Sequence, residues 1–157
     1  MTKLERQITA LTRVILAEDS AERKAAQEEL RKLVNDRSAV KQDAETVTQE
    51  LLLELGAPDH LVGHPYTVQA ILLVVQDRTY IDNITFGLYP QLAVQFDTTA
   101  SRVERAIRHL IEVIFTRCDY EVVNRYFGNS IHPDKGKPTN GEFIARIANV
   151  VKLRMKQ

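Results

Sequence analysis

Apolar residues recur along this chain at intervals of three and four, and no stretch alternates at intervals of two. A period near 3.6 places such residues on one side of a helix, whereas a half-buried strand needs a period of two. That property removes the sheet-containing architectures and leaves an all-α chain. The densest case is Tyr66 to Asp77, almost wholly apolar around Val68, Ile71, Leu72 and Val75, which marks a helix at the centre of a core. Its uninterrupted apolar run, Ala70 to Val75, falls far short of the ~20 residues that cross a bilayer. The opening MTKLERQITAL has no apolar segment of signal-peptide type and no small-residue cleavage site, so no secretory signal and a cytoplasmic location are expected. With 157 residues, 44% of them hydrophobic and 27% charged, the chain can bury a sizeable core as one domain or as a small domain with an appendage. The single cysteine, Cys118, excludes an internal disulfide and a cysteine-rich zinc site.

Two parts are expected. In residues 1–40, Leu4, Ile8, Leu11 and Ile15 follow helical spacing, with Val14 widening the stripe. Asp19-Ser-Ala-Glu22 then has the form of a capping box opening a second helix to about Val34, with a thin apolar face of Ala21, Ala25, Leu30, Leu33 and Val34. Asn35-Asp-Arg-Ser38 reads as a stop, giving an N-terminal helical hairpin for dimerisation or docking. Residues 44–157 read as a bundle of about six helices. Val47, Leu51, Leu52 and Leu55 form a stripe ended by Gly56 and Pro58; Gly63, His64 and Pro65 punctuate before the central helix. Further helices are expected near Ile81–Leu88, from Pro90 to Phe96, from Ala100 to Arg117, at Tyr120–Phe127 and at Gly141–Met155, with Gly128 to Asn140 as the longest loop.

The net charge of zero conceals a split. Residues 1–97 hold 10 Lys/Arg against 15 Asp/Glu, and residues 98–157 hold 11 against 6, so the second part is the one suited to an anionic partner. Within it a short helix, the turn Asp97-Thr98-Thr99 and a longer helix have the outline of a helix-turn-helix. Thr98 or Thr99 can cap the second helix. On a helical wheel Val103, Ala106, Ile107, Leu110 and Ile114 share one side. Ser101, Arg102, Arg105, Arg108, His109 and Glu112 share the other, with Glu104 on a flank. Arginine's planar fork can bond guanine O6 and N7 together, and a carboxylate can accept from cytosine N4. A polar face opposite an apolar stripe is also what any surface helix shows, so this pattern alone leaves DNA reading open.

The run Thr98-Thr-Ala-Ser-Arg-Val-Glu-Arg-Ala-Ile-Arg-His109 resembles the recognition-helix motif of the stage-zero sporulation response regulators. The resemblance extends to Leu55-Gly-Ala-Pro-Asp-His60, Leu88-Tyr-Pro90, Phe127-Gly128 and Lys137-Pro-Thr-Asn-Gly-Glu-Phe-Ile-Ala145, and so covers residues 44–157, the family's C-terminal effector domain. It implies a six-helix transcription regulator that binds double-stranded DNA without a cofactor, as paired domains, and that also touches RNA polymerase. Carried over by position, it implies that Arg102, Glu104 and Arg105 read bases. Thr98, Thr99, Ser101, Arg108, His109 and Lys156 then serve the DNA backbone or orient the readers. The chain departs from the family in three places. About 43 helical residues, with no strand pattern or acidic phosphorylation pocket, stand where a receiver domain is usual, so phosphorylation-driven pairing is not expected. Val62 replaces a usually basic residue, and the loop Asn129–Gly136 differs throughout.

Other signals are weaker. His60 and His64 beside Asp59 have a spacing that can hold zinc on a helix, but Gly63 and Pro65 interrupt one there, and no metal is expected. Cys118 lacks a neighbouring histidine, and Tyr89, Tyr120, Tyr126 and Phe127 suit a core better than a single-strand stacking platform. No phosphate loop or nucleophile motif is present, so no enzyme is expected. Two readings remain: a sequence-specific DNA-binding regulator acting as a homodimer, with residues 100–117 in the major groove, or a protein-interaction module that pairs with a full-length regulator or polymerase without reading DNA.

Overall fold

Helical periodicity is realised throughout: among the described residues of this computed structural model, 2–17, 19–131, 134 and 136–157, none forms a strand. The chain divides into two units, Met1–Gln42 and Asp43–Gln157.

In the first unit, α1 (Lys3–Leu16) opens on a capping box. The Thr2 hydroxyl accepts from the Glu5 amide at 3.1 Å, and the Glu5 carboxylate accepts from the Thr2 amide at 2.6 Å. At the start of α2 (Ser20–Glu54) the Asp19 carboxylate accepts from the Ala21 amide at 3.2 Å. The two helices are tied by an Arg13–Glu29 ion pair at 3.0 Å and by the Arg23 guanidinium donating to the Ala17 carbonyl at 2.9 Å. Ala10, Ala17 and Ala26 are buried, whereas Leu4, Ile8, Leu11, Ile15 and Leu16 are exposed.

The stop expected at Asn35–Ser38 does not occur, and α2 runs through it to Glu54. Asn, Asp and Ser each cost less than about 0.7 kcal/mol relative to Ala inside a helix, whereas Gly and Pro cost about 1 and 3. Ser20–Glu54 contains neither Gly nor Pro, so nothing in it is strong enough to break the helix.

The second unit begins within α2, whose end follows from Gly56. At φ +70° this residue turns the chain so that the Ala57 amide reaches the Leu52 carbonyl and the Gly56 amide the Leu53 carbonyl, both at 2.9 Å. The next helix, α3 (Gly63–Gln76), starts earlier than the punctuation suggested. Pro65 lies in its first turn, where the missing N–H has no intrahelical partner to lose. Where one helix was expected over Ile81–Leu88 there is a single turn, α4 (Thr79–Asp82), then a π-helical turn, Ile84–Leu88. Asn83, at φ −139° and ψ 56°, separates them; Asn leaves a helix readily because its side chain competes for backbone groups. Then come α5 (Tyr89–Gln95) with Pro90 at its start, α6 (Ala100–Arg117), α7 (Tyr120–Phe127), a 3-10 turn and α8 (Asn140–Met155). Residues 132, 133 and 135 of the loop expected to differ from the family lie outside the described residues.

The core forms around α3, which packs most extensively on α6 and α8. Val68, Ile71 and Leu72 meet Ile107, Leu110, Ile114, Ile144 and Ile147 in one buried cluster. Phe127 stacks on Phe143 at 5.4 Å and meets Phe115 edge-on at 5.3 Å. Tyr89, Tyr126 and Phe127 are buried as expected, but Tyr120 is exposed, since it opens α7 at the surface. At the edge of the core Glu54 accepts from Arg154 at 3.1 Å and from the Tyr126 hydroxyl, and Arg154 lies 5.8 Å over the Tyr126 ring. These bonds, the one from Arg154 first, hold the Glu54 carboxyl below its ordinary range.

Candidate nucleic-acid interface

The turn between α5 and α6 is built from backbone bonds. The Phe96 amide donates to Leu92 and the Thr98 amide to Ala93, at 3.0 and 2.9 Å, while Asp97 adopts φ 49°. Thr99 is the residue that caps α6: its hydroxyl accepts from the Arg102 amide at 3.3 Å. Thr98 is half-buried within the turn.

From that cap the two faces of α6 separate. Val103, Ile107, Leu110, Ile111 and Ile114 are buried, and Ala106 is half-buried. Ser101, Arg102, Arg105, Arg108 and His109 are exposed on the other side. At 1.5 Å per residue, Arg102 to His109 spans about 10 Å, three to four residues per turn, so these groups form one short row. Arg102 and Arg105 have no ion pair among the described residues. Glu104 differs: its side chain is 26% exposed and paired with Arg108 one turn on. Together they border an open cleft of about 430 Å³ that Tyr89, Lys137 and Asn140 also line. Lys137 in turn pairs with Glu112 at 2.6 Å, which lowers the Glu112 carboxyl below its usual range.

Two positioning groups carry no sequence signal of the charged kind. Asn140, buried at the start of α8, donates from Nδ2 to the Tyr89 hydroxyl and to the Glu104 carbonyl, each at 3.0 Å. One amide thus fastens α6 to both α5 and α8; burial raises the Tyr89 hydroxyl's pKa above its ordinary value, against the bond from Asn140, which lowers it. Gly63 does similar work by absence: a Cβ there would lie 2.1 Å from the Ala106 carbonyl oxygen, so α3 and α6 approach at a distance only glycine permits. The polar residue that opens a helix after Pro138-Thr139 and the glycine at a helix start were the available hints.

Lys156 stands apart. It caps the far end of α8, whose 16 residues extend about 24 Å from the Asn140 contact. Ser101, Arg102, Arg105, Arg108 and His109 are brought together; Lys156 is not brought to them.

A family model described as sporulation initiation factor Spo0A C terminal matches residues 48–151. The chain belongs to this family. The match takes in the whole of α3 to α7, the α6 row and Asn140, and leaves out the hairpin and Lys156. The Spo0A C-terminal family is the DNA-binding domain of a sporulation transcription factor and is not an enzyme family, so this chain is a DNA-binding regulator at that level. None of its helices among the described residues is long and apolar enough to cross a membrane.

Proposed function

We propose that the chain reads double-stranded DNA sequence-specifically, with the N-terminal half of α6 in the major groove. The carrying observation is the exposed Arg102 and Arg105, without an ion pair among the described residues, on a helix capped by Thr99 and held from behind by Asn140 and Gly63. Two guanidiniums one turn apart suit successive guanines, and their freedom from protein carboxylates leaves no ion pair to break on binding. Ser101, His109 and Thr98 flank the row at positions suited to phosphates. Glu104 and Arg108 act as one unit, the carboxylate oriented toward cytosine by the guanidinium that holds it.

The test is selection of bound duplexes from random sequence, followed by gel shifts on the selected site. Arg102→Ala and Arg105→Ala each lose about 5- to 150-fold on that site, corresponding to ~1–3 kcal/mol per bidentate contact. Because Arg108 holds Glu104, Arg108→Ala and Glu104→Ala relax preference at a common base pair. Equal binding by both arginine variants overturns the groove assignment; no selected site at all favours the protein-interaction reading.

A further inference from the structure

The hairpin is packed inside out. Among its described residues the buried apolar side chains are alanines, Ala10, Ala17 and Ala26, which let α1 and the start of α2 approach closely. The large apolar side chains along one side of α1 are exposed: Leu4 is 63% exposed, Ile8 55%, Leu11 47% and Ile15 76%, with Leu16 beside them. Monomers rarely present such a continuous patch. A helical pair whose fully buried apolar side chains are alanines, with Val14, Leu30 and Leu33 only half-buried, gains little from burial.

We propose that this stripe is the interface with a second copy of the same chain. Three observations commit it to that occupant. The spacing of Leu4, Ile8, Leu11 and Ile15 is four, three, four, an unbroken a/d seam. That spacing puts Ile8 and Ile15 at a and Leu4 and Leu11 at d, the assignment that favours two-stranded over higher seams. The five side chains expose several hundred Å² per copy, close to the apolar share, roughly 450 Å², of the ~800 Å² that each partner of a standard interface buries. A stripe that is apolar along its whole length is self-complementary, as a two-fold interface requires. The ends of the seam are already rigid: the Thr2–Glu5 capping box fixes one and the Arg23–Ala17 bond the other.

Sedimentation equilibrium of the full chain decides it, run without DNA so that the outcome is independent of groove reading. The expected mass at tens of micromolar is twice 17.9 kDa, and Ile8→Glu with Leu11→Glu in one chain returns it to 17.9 kDa. Both positions are exposed, so the variant keeps its far-ultraviolet helical signal and its binding to a single DNA half-site. A monomeric parent chain overturns the proposal, as does a variant that remains dimeric or one that assembles beyond two copies.

Discussion

Gly63 is the residue on which the placement of α6 depends most directly. Gly63→Ala forces a methyl group against the Ala106 carbonyl, so either α3 or α6 must move. Overpacking of this kind costs about 1–3 kcal/mol. The expected outcome is a thermal midpoint several degrees lower, together with weaker binding to the selected DNA site by Arg102 and Arg105, whose identities are unchanged; both are read on one purified variant. Glu54 gives a pH-dependent counterpart. Its folded pKa lies below the ordinary 4.5, so the stability it contributes is present above the unfolded value and is lost as pH falls through the folded one. Glu54→Gln is therefore less stable than the parent at pH 7, and the gap between their melting midpoints narrows below pH ~4. A gap of constant size would mean that the Arg154 and Tyr126 bonds act without the charge. Gly63 read in the sequence only as punctuation and Glu54 did not stand out, because what matters at Gly63 is a distance to another helix and at Glu54 the partners gathered from α7 and α8.

At the scale of elements, the helices were legible where local chemistry and packing agree. Ala100–Arg117 is the clearest case: Thr99 in front, an apolar stripe behind, and Cys118 extended after it. Substituting the cap tests how much of that is local. Thr99→Ala removes the acceptor for the Arg102 amide and costs about 1 kcal/mol. Because the first turn of α6 carries Ser101 and Arg102, DNA affinity falls with it, whereas Thr98→Ala, which leaves the cap intact, changes affinity less; paired gel shifts and melts separate the two. The errors fell where weak local signals were given too much weight. Asn35–Ser38 is a run of mild helix-disfavouring residues with no Gly or Pro, and α2 absorbs it. Gly63-His-Pro65 has the composition of a break, yet a proline in a first turn starts a helix. The π-helical turn at Ile84–Leu88 has no periodicity signature of its own.

For the whole molecule, the charge split between residues 1–97 and 98–157 was readable from counting, and it sets an expectation for binding in salt. If α6 docks as proposed and its three exposed arginines, Arg102, Arg105 and Arg108, each neutralise one charge of the duplex, the logarithm of affinity falls against the logarithm of salt with a slope near −2.7 per copy, about −0.9 for each phosphate neutralised. A titration between low and moderate salt measures it, and a slope near zero would contradict docking by this face. The exposed polar row of α6 was legible because an amphipathic helix displays its polar residues in order; the fastening behind it was not, because Asn140 lies 36 residues from Glu104 in the chain. That fastening separates two kinds of information. Asn140 grips α6 through a main-chain carbonyl, an atom every residue type supplies, so the angle at which the helix is held does not depend on which side chains it carries outward. Such a helix behaves like an interchangeable printing block in a fixed press: under the proposed function, positions 102 and 105 can change their letters while the frame that holds them stays the same.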